Sequence, residues 1–174
     1  AFVAVVLALP MIVQTALGDS SADVEQVTLA EPSQDWEIDV PDLYCERDYE
    51  SLASIGWTCG DVSVQATLTE DAKDDATTLR RMVRALAMAP LPADAPTFDG
   101  TDGALLLADA PSSTAALSLD GTGEDENKDW VVTVTGMGEQ ARTTASRIWR
   151  AFGQEDLPAA ADSEFADFSG ELMF

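Results

Sequence analysis

The alternation of apolar and polar residues predicts a domain built from both strands and helices. In DVSVQATLT at residues 61–69, and more briefly in WEIDV at 36–40, every second residue is apolar, which is typical of a half-buried strand. ALLLADA and TAALSLD flank residues 110–113 as the arms of a hairpin, and WVVTVT at 130–135 adds a third strand to that group. Pro41 is expected to end the first strand, and a loop that holds both cysteines follows it.

Two stretches have the period of an amphipathic helix. From about Glu70 to Met88, apolar residues recur at spacings of four and three, and Thr69 is the expected N-cap. A second helix is predicted from about Glu139 to Phe152, where a following glycine is well placed to end it. The order of elements predicts an α+β fold, a mostly antiparallel sheet with two helices on one face.

The first eighteen residues, from Ala1 to Gly18, contain no charged side chain, and an acidic stretch begins at Asp19. A helix of this length is about 27 Å long, close to the roughly 30 Å of a bilayer core. The segment therefore predicts one transmembrane helix that precedes the sheet, in a single-pass cell-membrane protein whose C-terminal body lies on the extracytoplasmic side. A secretory signal cleaved after Gly18 is the alternative.

The chain is expected to divide into four parts. These are a transmembrane helix at 1–18, an acidic tether at 19–35, an extracytoplasmic α+β domain at 36–153 and an acidic tail with aromatic residues at 154–174. In the tail, Phe165, Phe168 and Phe174 lie among acidic residues in a segment too polar to form its own core. We expect these three residues to bind a partner subunit; the alternatives are a tail that folds back onto its own sheet and a disordered one.

The composition adds a strong negative charge. The formal net charge is −23, from 32 acidic and 9 basic residues. Such a field repels nucleic acid and anionic headgroups and attracts cationic proteins. We therefore expect no nucleic-acid partner and expect protein partners with basic surfaces, although a domain kept soluble by its charge needs no partner at all.

The available side chains also restrict the chemistry. Cys45 and Cys59, the only cysteines, are expected to form one structural disulfide in an oxidising exterior, since their spacing is not Cys-x-x-Cys. The chain contains no histidine, which removes the usual general base and the Ser-His-Asp and Cys-His constellations. We therefore expect no enzyme activity, no catalytic residue, no cofactor and no metal site. A glycosidase-type carboxylate pair stays open, because 32 acidic residues always include a plausible pair.

Two motifs have ordinary explanations. GMGEQA at residues 136–141 matches the G-x-G-x-x-A of dinucleotide-binding proteins, but no second parallel strand follows, so we expect two glycines that turn a strand into a helix. The loop from Asp120 to Asp129 resembles a calcium loop, but the sixth and twelfth positions counted from Asp120, which are Asp125 and Val131, depart from the EF-hand pattern. We expect a solvated loop with at most a weak cation site, and the same for DGTDG at 99–103.

The high content of Ala, Asp and Thr, the seven Arg to two Lys, and the layout of anchor, tether and single-disulfide domain are similar to small exported proteins of actinobacteria. In layout the chain resembles accessory subunits of the actinobacterial bcc-aa3 respiratory supercomplex. The resemblance implies a non-catalytic, single-pass accessory subunit that binds integral membrane protein subunits through its extracytoplasmic domain and tail. It covers no motif, so no functional residue is carried over. The alternative is a free-standing membrane-anchored ligand-binding or cell-envelope protein.

Overall fold

The computed structural model describes residues 23–88 and 90–167. The strands are β1 (Val24–Leu29), β2 (Ile38–Arg47), β3 (Ile55–Cys59), β4 (Val62–Glu70), β5 (Thr97–Asp99), β6 (Ala104–Asp109), β7 (Thr114–Asp120) and β8 (Lys128–Thr135). The helices are α1 (Asp75–Leu86), α2 (Gly138–Ala151) and α3 (Ala159–Asp167). The strands form one open sheet in the order β1-β2-β3-β4-β8-β7-β6-β5, and every neighbouring pair in it is antiparallel.

The centre of the sheet is where the alternation of the sequence is clearest. β8 lies between β4 and β7, and it buries Val132 and Val134 on one face and Val131 on the other. β6 and β7 form the predicted hairpin through a short 3₁₀ turn at Ala110–Ser112, in which Oδ2 of Asp109 accepts a hydrogen bond from the Ser112 amide at 3.0 Å. The predicted hairpin and the third strand of that group are confirmed.

The helices lie on both faces of this sheet, so the predicted arrangement of two helices on one face is wrong. α2 and α3 cover one face, and α1 covers the opposite face through Leu79 and Val83. The cause lies in β6, which buries Leu106 on the α2 side and Leu105 and Leu107 on the α1 side. A strand that is apolar in both directions needs cover on both faces.

Helix α1 begins later than its apolar period predicted. β4 continues as far as Glu70, so Thr69, the predicted N-cap, lies in the strand opposite Asp129. Asp74 caps the helix instead, and its carboxylate accepts a hydrogen bond from the Thr77 amide at 2.6 Å. Helix α2 ends close to its predicted end, at Ala151, and the glycine two residues later adopts a positive φ of 77°.

The tether predicted at 19–35 contains the edge strand β1. Val27 and Leu29 of β1 are fully buried in the core. The neighbouring strand β2 does not end at Pro41, as predicted, but continues through a bulge at which the β1–β2 register shifts and Asp42 has a φ of 61°. Proline has no N–H to donate, so Pro41 leaves a gap in the hydrogen-bond ladder. The strand nevertheless continues beyond it to Arg47.

The disulfide between Cys45 and Cys59 is confirmed, with an S–S distance of 2.06 Å. Both cysteines lie in strands, β2 and β3, rather than in the predicted loop. The ladder between these two strands has only the pairs Glu46↔Thr58 and Arg47↔Trp57. The bridge therefore reinforces the junction of the described sheet that has the fewest paired residues.

The predicted transmembrane helix at 1–18 lies outside the described residues. Within residues 23–88 and 90–167, no helix has the length and apolar character needed to cross a bilayer. The prediction of a single-pass membrane protein is corrected to this extent: no described helix could provide the membrane span. The fold of the described chain is an open antiparallel sheet of eight strands with three helices on its two faces.

Candidate functional site

A cleft lined by aspartates lies where the N-terminus of α1 meets strands β5, β6 and β7. We call it the carboxylate cleft; its volume is about 450 Å³. Lys73 is the only basic residue of its described lining. The acidic residues that line it come from three separate parts of the chain, and they are Asp74, Asp75, Asp99 and Asp120.

Beside the cleft, Asp120 and Asp129 lie opposite each other in the β7–β8 ladder. These are the two ends of the loop that resembles a calcium loop in sequence. Burial, the largest cause, acts together with the nearby carboxylates of Asp120 and Asp75 to raise the pKa of Asp129 to about 6, against a hydrogen bond with Thr69 that lowers it. Burial also raises the pKa of Asp120, and Asp75 adds to the effect. Ionisation of the Asp120 and Asp129 carboxyl groups is therefore energetically unfavourable at this end of the sheet.

The carboxylate of Asp120 is held against the backbone at the start of β6. Gly103 has a positive φ of 77°, and a Cβ there would lie 2.5 Å from Oδ2 of Asp120, so glycine satisfies both the turn and the close approach. The other oxygen, Oδ1, is buried and has no hydrogen-bond partner among the described residues. A buried carboxylate oxygen without a donor is energetically unfavourable, and a ligand with a suitable donor would relieve that cost.

The loop between Asp120 and Asp129 is not arranged around a cation. It contains a short 3₁₀ turn at Gly123–Asp125, and the ammonium of Lys128 donates a hydrogen bond to Asp125 at 2.6 Å. This bond raises the pKa of Lys128. Across residues 23–88 and 90–167, no group of three or more acidic or cysteine side chains is placed to hold a metal ion.

A second concave surface runs along α2. We call it the arginine groove; its volume is about 570 Å³, and Arg142, Arg147 and Arg150 line it on the α2 side. Asp156 and Asp162 face them from the other side. Arg150 donates to Asp156 at 2.8 Å, and Arg142 donates to Asp162 at 2.5 Å. The two ends of the groove are therefore neutralised within the chain.

The structure describes one of the three residues predicted to bind a partner, Phe165. Phe165 is 1% exposed and packs in the core of its own chain, beside Ala161 of the same helix. The segment that carries it folds back onto the sheet as far as Asp167, the alternative arrangement for the tail. Phe168 and Phe174 lie outside the described residues.

The glycine motif at 136–141 is a strand-to-helix turn. Gly138, with a φ of 66°, is the first residue of α2, and Gly136 donates a hydrogen bond to the carbonyl of Ser113 at 3.0 Å. β8 lies between two antiparallel neighbours, β4 and β7. The described residues therefore contain no parallel βαβ unit of the kind that binds a dinucleotide.

No protein-family model, no curated protein and no solved structure is significantly similar to this chain. The resemblance in layout to accessory subunits of the respiratory supercomplex stays a prediction. Function is therefore inferred from the carboxylate cleft and the arginine groove themselves.

Proposed function

We propose that this chain is a non-catalytic binding domain that takes a cationic side chain of a protein partner, a lysine or an arginine, into the carboxylate cleft. The observation that carries the proposal is the buried Oδ1 of Asp120, which has no donor among the described residues. Three further aspartates line the same cleft. A positively charged donor would satisfy this oxygen and offset the charge of its neighbours.

The distribution of charge over the domain favours a cationic ligand. The chain has 32 acidic and 9 basic residues, and seven of the basic residues have a hydrogen-bond or ion-pair partner among the described residues. The remaining surface charge is predominantly negative, so it steers cationic groups within a Debye length of about 8 to 10 Å. The seven engaged residues are Arg47, Arg80, Arg84, Lys128, Arg142, Arg147 and Arg150.

An ammonium or a guanidinium suits the cleft better than a metal ion does. Calcium needs six or more oxygens at about 2.3 to 2.6 Å around one point. The aspartates of the cleft come from α1, β5 and β7 and form no such group. An ammonium or a guanidinium instead donates separate hydrogen bonds to separate carboxylates, so it tolerates a wider and less regular site.

The chemistry of the available groups supports binding without catalysis. The chain has no histidine, and both cysteines are held in the disulfide. The pKa of Lys128 is raised, whereas a lysine that acts as a base or nucleophile needs a lowered pKa. Asp129 has a pKa of about 6, a useful value for a general acid, but its side chain is buried and does not line the cleft.

Titration calorimetry with a short lysine-containing peptide tests the proposal. We expect the wild-type protein to bind this peptide, and the same peptide with acetylated lysines, which lack the charge, to bind at least about tenfold more weakly. Asp120→Asn and Asp99→Asn should each weaken binding of the lysine peptide several-fold. Asp61→Asn, at the exposed β3–β4 turn at the far end of β4, removes the same charge and should have little effect. Equal losses in all three variants would contradict a specific cleft.

A further inference from the structure

We infer that the arginine groove is a second binding site, for a small oxyanion that carries phosphate or carboxylate groups. It is independent of the carboxylate cleft, because α2 and α1 lie on opposite faces of the sheet. Its donors belong to one helix, so the backbone of α2 fixes the spacing of the Cα atoms that carry them.

Side chains four residues apart lie on the same face of a helix, one turn above the other. Arg142, Ser146 and Arg150 form one such row along α2, and Thr143 and Arg147 form the neighbouring row. All five line the same cavity. One wall of the groove therefore presents three guanidinium groups and the Ser146 hydroxyl as donors suited to an anion, while the Thr143 hydroxyl donates to Oε1 of Glu139 at 3.4 Å.

Arg147, in the middle of this wall, is the arginine of the groove that has no carboxylate partner among the described residues. Arg142 and Arg150 form ion pairs with aspartates across the groove. Arg147 donates to the backbone carbonyl of Asp42 and forms no ion pair within the described part of the chain. A guanidinium has five N–H donors, so several remain for a ligand.

The space around Arg147 is open on more than one side. Arg147 and Arg150 also line a neighbouring cavity of about 430 Å³, together with Pro41 of the β2 bulge. The planar guanidinium group can donate two parallel hydrogen bonds to a phosphate or a carboxylate, which favours an oxyanion over a neutral polar ligand.

The aspartates of the groove limit where an anion binds. Asp156 and Asp162 sit on Arg150 and Arg142, so they repel an anion from the two ends and leave the middle of the groove, beside Arg147, as the favourable position. The net charge of −23 also repels anions at long range. We therefore expect dissociation constants on the order of millimolar for simple ions.

Titration of the full chain with inorganic phosphate, pyrophosphate and citrate, followed by NMR at constant ionic strength, tests this inference. We expect saturable shifts in the backbone amides and arginine Nε groups of residues 142–150. Saturation by phosphate or pyrophosphate would indicate a phosphate ligand, and saturation by citrate alone would indicate a carboxylate ligand.

Arginine variants distinguish a specific anion site from nonspecific attraction of anions to positive charge. Arg147→Ala should weaken binding at least about tenfold, and Arg147→Lys, which keeps the charge but loses the paired donors, should have a smaller effect. Arg81→Ala removes the same charge from an exposed position on α1 and should leave the affinity unchanged. Shifts that stay linear with concentration for all three anions, or equal weakening by Arg81→Ala and Arg147→Ala, would overturn the inference. Arg147→Lys retains a donor for the Asp42 carbonyl, so it also shows whether a loss reflects binding rather than folding.

Discussion

Nε of Arg142 donates a hydrogen bond to Oδ1 of Asp162 at 2.5 Å, and this contact joins α2 to α3. Both side chains are about 40% exposed, so the ion pair by itself contributes at most about 1 kcal/mol. Close to it in sequence, Phe165 is almost completely buried. α3, in the acidic segment that follows α2, is therefore an integral part of the domain. The burial of Phe165 attaches it to the core, and the ion pair of Asp162 with Arg142 positions it against α2.

Phe165→Ala should lower the free energy of unfolding by about 3 to 5 kcal/mol, because it removes a fully buried aromatic side chain from the core. Urea denaturation of the full chain measures the change. The matched control is Leu52→Ala, whose side chain is 64% exposed and whose loss should cost less than about 0.5 kcal/mol. Similar small losses for both variants would show that α3 does not pack on the sheet.

Replacing both cysteines, Cys45→Ala with Cys59→Ala, should destabilise the domain by about 3 kcal/mol, since the bridge closes a short loop with a sequence separation of 14. The same denaturation experiment, with and without reductant, measures this loss. We expect the free energy of unfolding of the reduced wild-type protein to approach that of the double variant. Reductant should not change the free energy of unfolding of the double variant. Two thiols that react with a labelling reagent in the native, unreduced protein would contradict the disulfide.

The raised pKa of Asp129 makes stability depend on pH. Because this pKa is about 6 in the folded chain and 3.8 ordinarily, the folded state holds a proton that the unfolded state has released between these values. Stability should therefore fall as the pH rises from about 4 to about 6. Asp129→Asn removes this dependence, so the variant should gain about 1 to 3 kcal/mol relative to the wild type between pH 4 and pH 7.5. A constant difference between the two proteins across that range would contradict the assignment.

Gly103→Ala should destabilise the domain more than Gly123→Ala does. Both glycines have a positive φ, so both substitutions carry the backbone cost of about 1 kcal/mol. A Cβ at residue 103 would also meet Asp120, whereas nothing lies within 4 Å of one at residue 123. We expect an additional loss of about 1 to 3 kcal/mol at residue 103, measured by urea denaturation. Equal losses would show that Asp120 does not lie against this turn.

Much of the sheet could be predicted from local patterns. The β6–β7 hairpin, β4 and β8 follow from alternation and turn residues, and α2 follows from its helical period. The position of α1 on the opposite face also had a signal in the sequence. A strand that is covered on one face alternates apolar and polar residues, whereas ALLLAD in β6 is apolar at every position except the last. Such a strand indicates cover on both faces.

The remaining elements depend on contacts between distant parts of the chain. β1 has only three apolar residues in VEQVTL, and it forms because β2 pairs with it and the core covers Val27 and Leu29. α3 is acidic, and its stability depends on the burial of Phe165 and on the ion pair of Asp162 with Arg142 of another helix.

The carboxylate cleft could not be predicted for the same reason. Asp99 and Asp120 are 21 residues apart in sequence, and they line the same cleft only because β5, β6 and β7 are neighbours in the sheet. The sequence does mark both residues as members of acidic, glycine-containing loops, but it does not place those loops beside the N-terminus of α1.

Amide chemical-shift mapping of the full chain with the lysine-containing peptide tests the central proposal most directly. If the carboxylate cleft binds a cationic side chain, the largest shifts should cluster at its lining, including Asp75, Asp99, Gly103 and Asp120, and should saturate as peptide is added. The β3–β4 turn at Asp61 should shift little, although it is acidic and exposed. Small shifts spread evenly over all acidic surfaces, or shifts that leave the cleft unaffected, would contradict the proposal.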